Sequence, residues 1–172
     1  PAGAEHPGAR HLALAALCGP AERQTPARAQ LFTRVEGATV RAAIRIQLED
    51  RWHIYHDELG HPQAIGQPTT VTFYGEGIEW SKARFPEPIK LDQSDVAGEG
   101  VFILAHEHEL VLYAAGRLAP GATTDGLEVK VKGLVCEDVQ GCIPFRQTLK
   151  NAGAGEDALF AKFPADLLAG TP

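Results

Sequence analysis

Leu127-Glu128-Val129-Lys130-Val131-Lys132 alternates apolar and charged side chains, the two-residue period of a half-buried β-strand. It leads directly into Cys136-Glu137-Asp138-Val139-Gln140-Gly141-Cys142, a C-x5-C segment. Beyond it, Ile143-Pro144-Phe145-Arg146-Gln147-Thr148-Leu149 reads as a last strand, and Pro144 favours the start of that strand or an edge position. Two thiols this close in sequence can form a disulfide around a small loop. Such a bridge stabilises a fold by only about 2 kcal/mol, against about 4.7 for a loop of roughly 100 residues. It can be opened without unfolding a domain, which makes redox exchange a serious reading beside a static cross-link. Metal binding is the third reading, weakened by a spacing wider than the usual zinc pair and by the lack of a second ligand pair.

Outward from this segment the pattern repeats. Val40, Ala42, Ile44, Ile46 and Leu48 alternate with Arg41, Ala43, Arg45 and Gln47. Trp52 to Tyr55 is aromatic and β-branched, and Thr69 to Tyr74 stops at the turn signal Gly75-Glu76-Gly77. Glu79 to Phe85, Val101 to Leu104 and Glu109 to Ala115 complete the candidate strands. Seven or more short strands without alternating long helices predict an all-β antiparallel sandwich. Only the stretch from Glu156 to Leu168 looks helical, with Pro164 interrupting it. The expected organisation is an N-terminal extension over 1–30, a β domain over 31–150 and a C-terminal tail or linker over 151–172.

The chain has 172 residues, 44% of them hydrophobic and 22% charged, which is ordinary for a globular domain able to bury a core. A formal net charge of -6, with no Lys/Arg cluster, argues against non-specific nucleic-acid binding. The longest apolar run, Leu12 to Cys18, is too short to span a bilayer and is a poor secretory signal. Of 3 cysteines, one is left over from any pairing. If Cys136 and Cys142 pair, it is Cys18, read as a buried or incidental free thiol, with lipidation or an intermolecular bridge as the alternatives.

From Leu134 to Phe145 the sequence resembles the N-terminal, periplasmic domain of the DsbD family of thiol:disulfide interchange proteins. Leu48 to Tyr55 and the region from Phe85 through Phe102 extend the likeness over about 31–150. The resemblance implies an immunoglobulin-like fold and a thiol:disulfide oxidoreductase of the protein-disulfide reductase type. Cys142 would exchange with partners and Cys136 would be the resolving thiol. A thioredoxin-like domain or protein, supplied through a membrane-embedded partner, would donate electrons, and periplasmic protein disulfides would accept them. No organic cofactor or metal is implied, because the cysteine pair itself carries the two electrons. A loop covering the disulfide would fall near Gln93 to Glu99, where Asp95 and Val96 are the candidate capping residues. Family members shield the disulfide with an aromatic ring, and this loop has none, so either the shielding is looser or Phe102 or another aromatic substitutes.

Independently of that likeness, Glu137 and Asp138 put negative charge beside Cys136 and are expected to disfavour its thiolate. Tyr55 has two readings, sandwich packing or a ring beside the disulfide. Asp95 is a candidate proton-transfer group. His106 with His108, and His53 with His56, are candidate imidazole pairs for copper or zinc. The rival functions are therefore a non-catalytic protein-binding sandwich whose disulfide is structural, and a periplasmic metal-handling domain.

Overall fold

Alternating sequence becomes alternating burial. In the computed structural model, which describes residues 25–169, β1 (Ala27–Glu36) and β2 (Thr39–Leu48) pair antiparallel from Ala27↔Leu48 to Glu36↔Thr39. β1 turns Ala27, Ala29 and Leu31 inward, as β2 does Ala42, Ile44 and Ile46. β8 (Glu109–Leu118) lies on the other side of β2 and adds Leu110 and Leu112, and β5 (Ile78–Trp80) closes this sheet in the order β1-β2-β8-β5.

The second sheet runs β10-β9-β3-β7-β6, formed by β3 (His53–Tyr55), β6 (Ile89–Asp92), β7 (Phe102–Glu107), β9 (Glu128–Glu137) and β10 (Gly141–Lys150). β4 (Thr70–Tyr74) pairs with the first half of β9, below the point where β3 joins it. Its inner face supplies Trp52, Ile54, Val129, Val131, Val135 and the fully buried Phe145 to one core shared with the first sheet. Two antiparallel sheets closed on one apolar layer make the expected immunoglobulin-like sandwich. β10 is an edge strand, which is where a proline with no amide to donate is tolerated, and Pro144 lies on it.

Two smaller clusters flank the core. On the outer side of the first sheet, α2 (Asp157–Phe160) and α3 (Ala165–Ala169) bury Leu159, Phe160 and Leu167 against Ala43, Tyr113 and Ala115. The Tyr113 hydroxyl donates to the Leu159 carbonyl at 2.5 Å, which fixes that tail in place. On the outer side of the second sheet, Tyr55, Ile103, Ala105 and Cys136 form the other cluster. The disulfide site grows from this one.

Strand order departs from the sequence reading in two places. Glu79 to Phe85 is mostly not a strand: pairing stops at Trp80, and only Arg84 bridges β8 again, at Tyr113. β6 was not expected, since four residues after Pro88 show too short an alternation to read. It is an edge strand with exposed Lys90 and Asp92, charges that discourage edge-to-edge pairing.

Candidate functional site

β9 and β10 form a hairpin whose register sets the cysteines directly opposite each other, Cys136↔Cys142, with Cα atoms 4.0 Å apart. Opposed residues of an antiparallel pair are the closest cross-strand neighbours a sheet provides, so the disulfide needs no rearrangement of the ladder. The connecting loop is Asp138-Val139-Gln140, closed by Gly141 at φ 79. Only glycine holds that left-handed conformation without a Cβ penalty. One Glu137 carboxylate oxygen accepts the Val139 and Gln140 amides at 3.0 and 2.7 Å, and the other lies 3.5 Å from the Arg51 guanidinium. Glu137 is therefore buried with its charge committed to the turn and to Arg51, a role beyond the electrostatic one expected of it. Asp138 is exposed.

The two sulfurs differ in access. Cys136 is 3% exposed, whereas Cys142 is exposed on the edge strand. Tyr55 is buried beside both, its hydroxyl 3.3 Å from Cys136 Sγ and 3.7 Å from Cys142 Sγ. Sulfurs joined to each other carry no hydrogen, so the phenol is the donor in these contacts. Burial pushes the Tyr55 pKa up, which keeps that proton in place. Of the two sequence readings of Tyr55, the structure has the ring against the disulfide. The reason is local: Trp52 and Ile54 turn into the sandwich, so His53 and Tyr55 must face out.

Asp95 and Val96 lie on a single helical turn, α1 (Ser94–Ala97), and line the same cleft of about 830 Å³ as Cys136, Cys142, Tyr55 and Asp138. Gln93 anchors the base of this turn by exchanging hydrogen bonds with the Ile65 backbone, both at 2.9 Å. Val96 is 70% exposed, so it borders the sulfurs without sealing them. Phe102 does not substitute as a shield, because its ring meets His61 and the Lys90 ammonium instead. The aromatic ring at the disulfide is Tyr55.

The structure pairs His56 with His106 rather than joining either candidate histidine pair. β7 ends at Glu107, and His108 takes a positive φ of 61 in the turn to β8, which separates it from His106. His53 faces the cleft, half-buried, while His56 Nδ1 meets His106 Nε2 at 2.9 Å under the Phe85 ring. Asp57 holds His56 Nε2 at 3.0 Å and the Lys82 ammonium at 2.8 Å. Burial and the neighbouring His56 lower the His106 pKa to about 4. Among the described residues, no group of three or more His, Cys, Asp or Glu is placed to hold a metal ion. Cys18 lies outside the described residues.

Sequence reasoning missed His53 as a cleft residue. It is the in-register neighbour of Cys136 on β9 and of Glu107 on β7. Its place two residues before Tyr55 on a strand was the available signal. Burial lowers the His53 pKa, while Asp138 and Glu107 act to raise it.

The family model of the N-terminal domain of thiol:disulfide interchange protein DsbD matches residues 21–153. No curated protein matches the chain. Among solved structures it is similar to the reduced DsbD N-terminal domain of Neisseria meningitidis, at 13% identity and a TM-score of 0.43 over 73% of this chain and 85% of that one. The N-terminal periplasmic domain of ScsB from Proteus mirabilis is 19% identical, at a TM-score of 0.48 over 85% of this chain and 53% of that one. A complex between the DsbD and PilB N-terminal domains of Neisseria meningitidis gives 11% identity and a TM-score of 0.42, covering 77% and 85%. These structural likenesses are distant. The family match carries the assignment.

Proposed function

The chain belongs to the family of DsbD N-terminal domains, and from that premise we propose that it is a periplasmic relay passing electrons from a thioredoxin-like donor to protein disulfides through Cys136 and Cys142. The observation that carries this reading is the asymmetry of one register pair: an exposed cysteine joined to a buried one inside a cleft. Exchange requires attack along the sulfur–sulfur bond by an incoming thiolate. Only Cys142 is open to a protein-sized nucleophile.

The donor thiolate attacks Cys142 Sγ, the Cys136–Cys142 bond breaks, and Cys136 leaves as a thiolate. A second donor thiol then resolves the mixed disulfide, so the donor is oxidised and this chain becomes a dithiol. In the second half, Cys142 attacks a disulfide of an acceptor protein and expels one of its sulfurs. Cys136 closes on Cys142 and releases the acceptor as a dithiol. The Tyr55 hydroxyl keeps its proton and donates a hydrogen bond to the leaving sulfur, replacing the water that burial excludes. The α1 turn is the cap, with Asp95 and Val96 on the lip that a partner must pass. Deleting or rigidifying residues 93–99 changes exchange rates more than stability.

Among the described residues no helix is long and apolar enough to cross a membrane. The test is covalent capture. With Cys136→Ala, Cys142 traps a thioredoxin-like donor as a mixed disulfide that dithiol reagents release. With Cys142→Ala, capture falls at least about tenfold, because Cys136 is buried. Equal capture by the two variants would overturn the division of roles, and capture by neither would overturn the relay.

A further inference from the structure

Four neighbouring strands place one residue each in a single transverse row: Cys142 on β10, Cys136 on β9, His53 on β3 and Glu107 on β7. Directly paired residues of an antiparallel sheet share a face, with Cβ atoms about 4.5–5.5 Å apart. His53 is therefore the side chain next to Cys136 on the flank away from Cys142, and all four line the same cleft. On the relay reading given above, we propose that His53 is the proton carrier for Cys136, donating to it as the sulfur leaves and taking the proton back before it closes the disulfide.

The need for such a group follows from the surroundings. When the bond breaks, Cys136 becomes a thiolate at a position that is 3% exposed, with little water to solvate it. The charged and titratable groups facing the cleft beside His53 are Tyr55, Arg51, Glu107, Glu137, Asp138 and Asp95. Asp92 stands on the same rim. Glu107, Asp138, Asp95 and Asp92 are acidic and exposed, and they disfavour an anion on sulfur. Among the described residues, the guanidinium that lines the cleft, Arg51, is committed to Glu137. Tyr55 donates a hydrogen bond but is a weaker acid than a thiol, so it cannot surrender its proton to the sulfur. His53 is the remaining group that exchanges a proton near neutral pH. Burial keeps its ring neutral while the disulfide is intact, and a new thiolate alongside favours the imidazolium.

The partner thiolate joins Cys142 Sγ and the bonding pair departs on Cys136; neutral His53 then takes a proton from water in the cleft, becomes an imidazolium beside the thiolate, and passes that proton to the sulfur, leaving hydroxide to the solvent. On closure His53 accepts the Cys136 proton, the thiolate attacks Cys142 Sγ, and the partner leaves as a thiolate.

The test uses reduced protein carrying Cys18→Ser, so that only two thiols report. Dithiobis-nitrobenzoate reacts first at Cys142, and closure by Cys136 releases a second coloured thiolate whose rate is followed against pH. Closure has its inflection below the ordinary thiol value. His53→Gln moves it up by about one unit and slows closure about tenfold near neutral pH. His53→Lys, which keeps a cation, retains the low inflection. In protein with His53 intact, the imidazole proton resonance of the dithiol form gains a second inflection where Cys136 ionises. A His53→Gln profile superimposable on the parent, or an imidazole titration identical in the two redox states, would overturn the proposal and leave the relay standing. Failure of the parent to release the second thiolate would strike at the relay itself.

Discussion

Opening the Cys136–Cys142 bond should cost this protein little. The bridge spans a sequence separation of only 6, so it removes about 2 kcal/mol of unfolded-chain entropy. The hairpin does not depend on it: the β9–β10 register continues from Cys136↔Cys142 to Glu128↔Lys150, and Val135 and Phe145 on either strand are fully buried. For a chain of this size, about 2 kcal/mol corresponds to a fall in Tm of about 4–8 °C. The assay is thermal unfolding of Cys18→Ser protein, oxidised and fully reduced, followed by near-ultraviolet circular dichroism. Both forms should show native aromatic signals at room temperature and one cooperative transition each. A reduced form without tertiary signal, or a fall in Tm beyond about 15 °C, would mean the disulfide is a staple. The low-cost opening that exchange requires would then be refuted.

Three further outcomes follow from particular contacts. His106 has a folded pKa of about 4 against 6.5 unfolded, so the unfolded chain binds the proton more readily and stability falls as pH drops through that window. Urea titrations at about pH 7.5 and pH 4.5 should show a loss of about 2.5 kcal/mol that His106→Gln largely abolishes, and an equal loss in the variant would remove His106 as the cause. Glu137→Ala strips the acceptor from the Val139 and Gln140 amides and should cost about 1–3 kcal/mol, with faster hydrogen exchange at those two amides; unchanged exchange there would show the carboxylate is not what holds the turn. Phe145→Ala empties a fully buried site and should cost about 3–5 kcal/mol by urea unfolding, so a loss under about 1 would contradict its place in the shared core.

The strands legible in the sequence were those with one face in the core and one in water. β2 and the first half of β9 announce themselves because apolar residues fall on alternate positions. β1 begins at Ala27, ahead of Leu31, since Ala27 and Ala29 pack inward with too little apolar bulk to mark a strand. β6 hides because a short edge strand beside charges has no pattern to read. At the site, C-x5-C and the strand–loop–strand around it located both sulfurs. Pairings that depend on distant strands were invisible. His56 meets His106 across 50 residues, and His53 reaches Cys136 only through the β3–β9 register. Glu137 looked like a field acting on a thiol because its two amide partners belong to a turn whose geometry a sequence does not display.

The reduction potential of the pair in the folded protein, measured by equilibration with a thiol–disulfide buffer, tests the electron-carrier account most directly. The account predicts a value within the thioredoxin-type range, about −270 to −120 mV. A value below about −300 mV, where structural disulfides of secreted proteins lie, would contradict it.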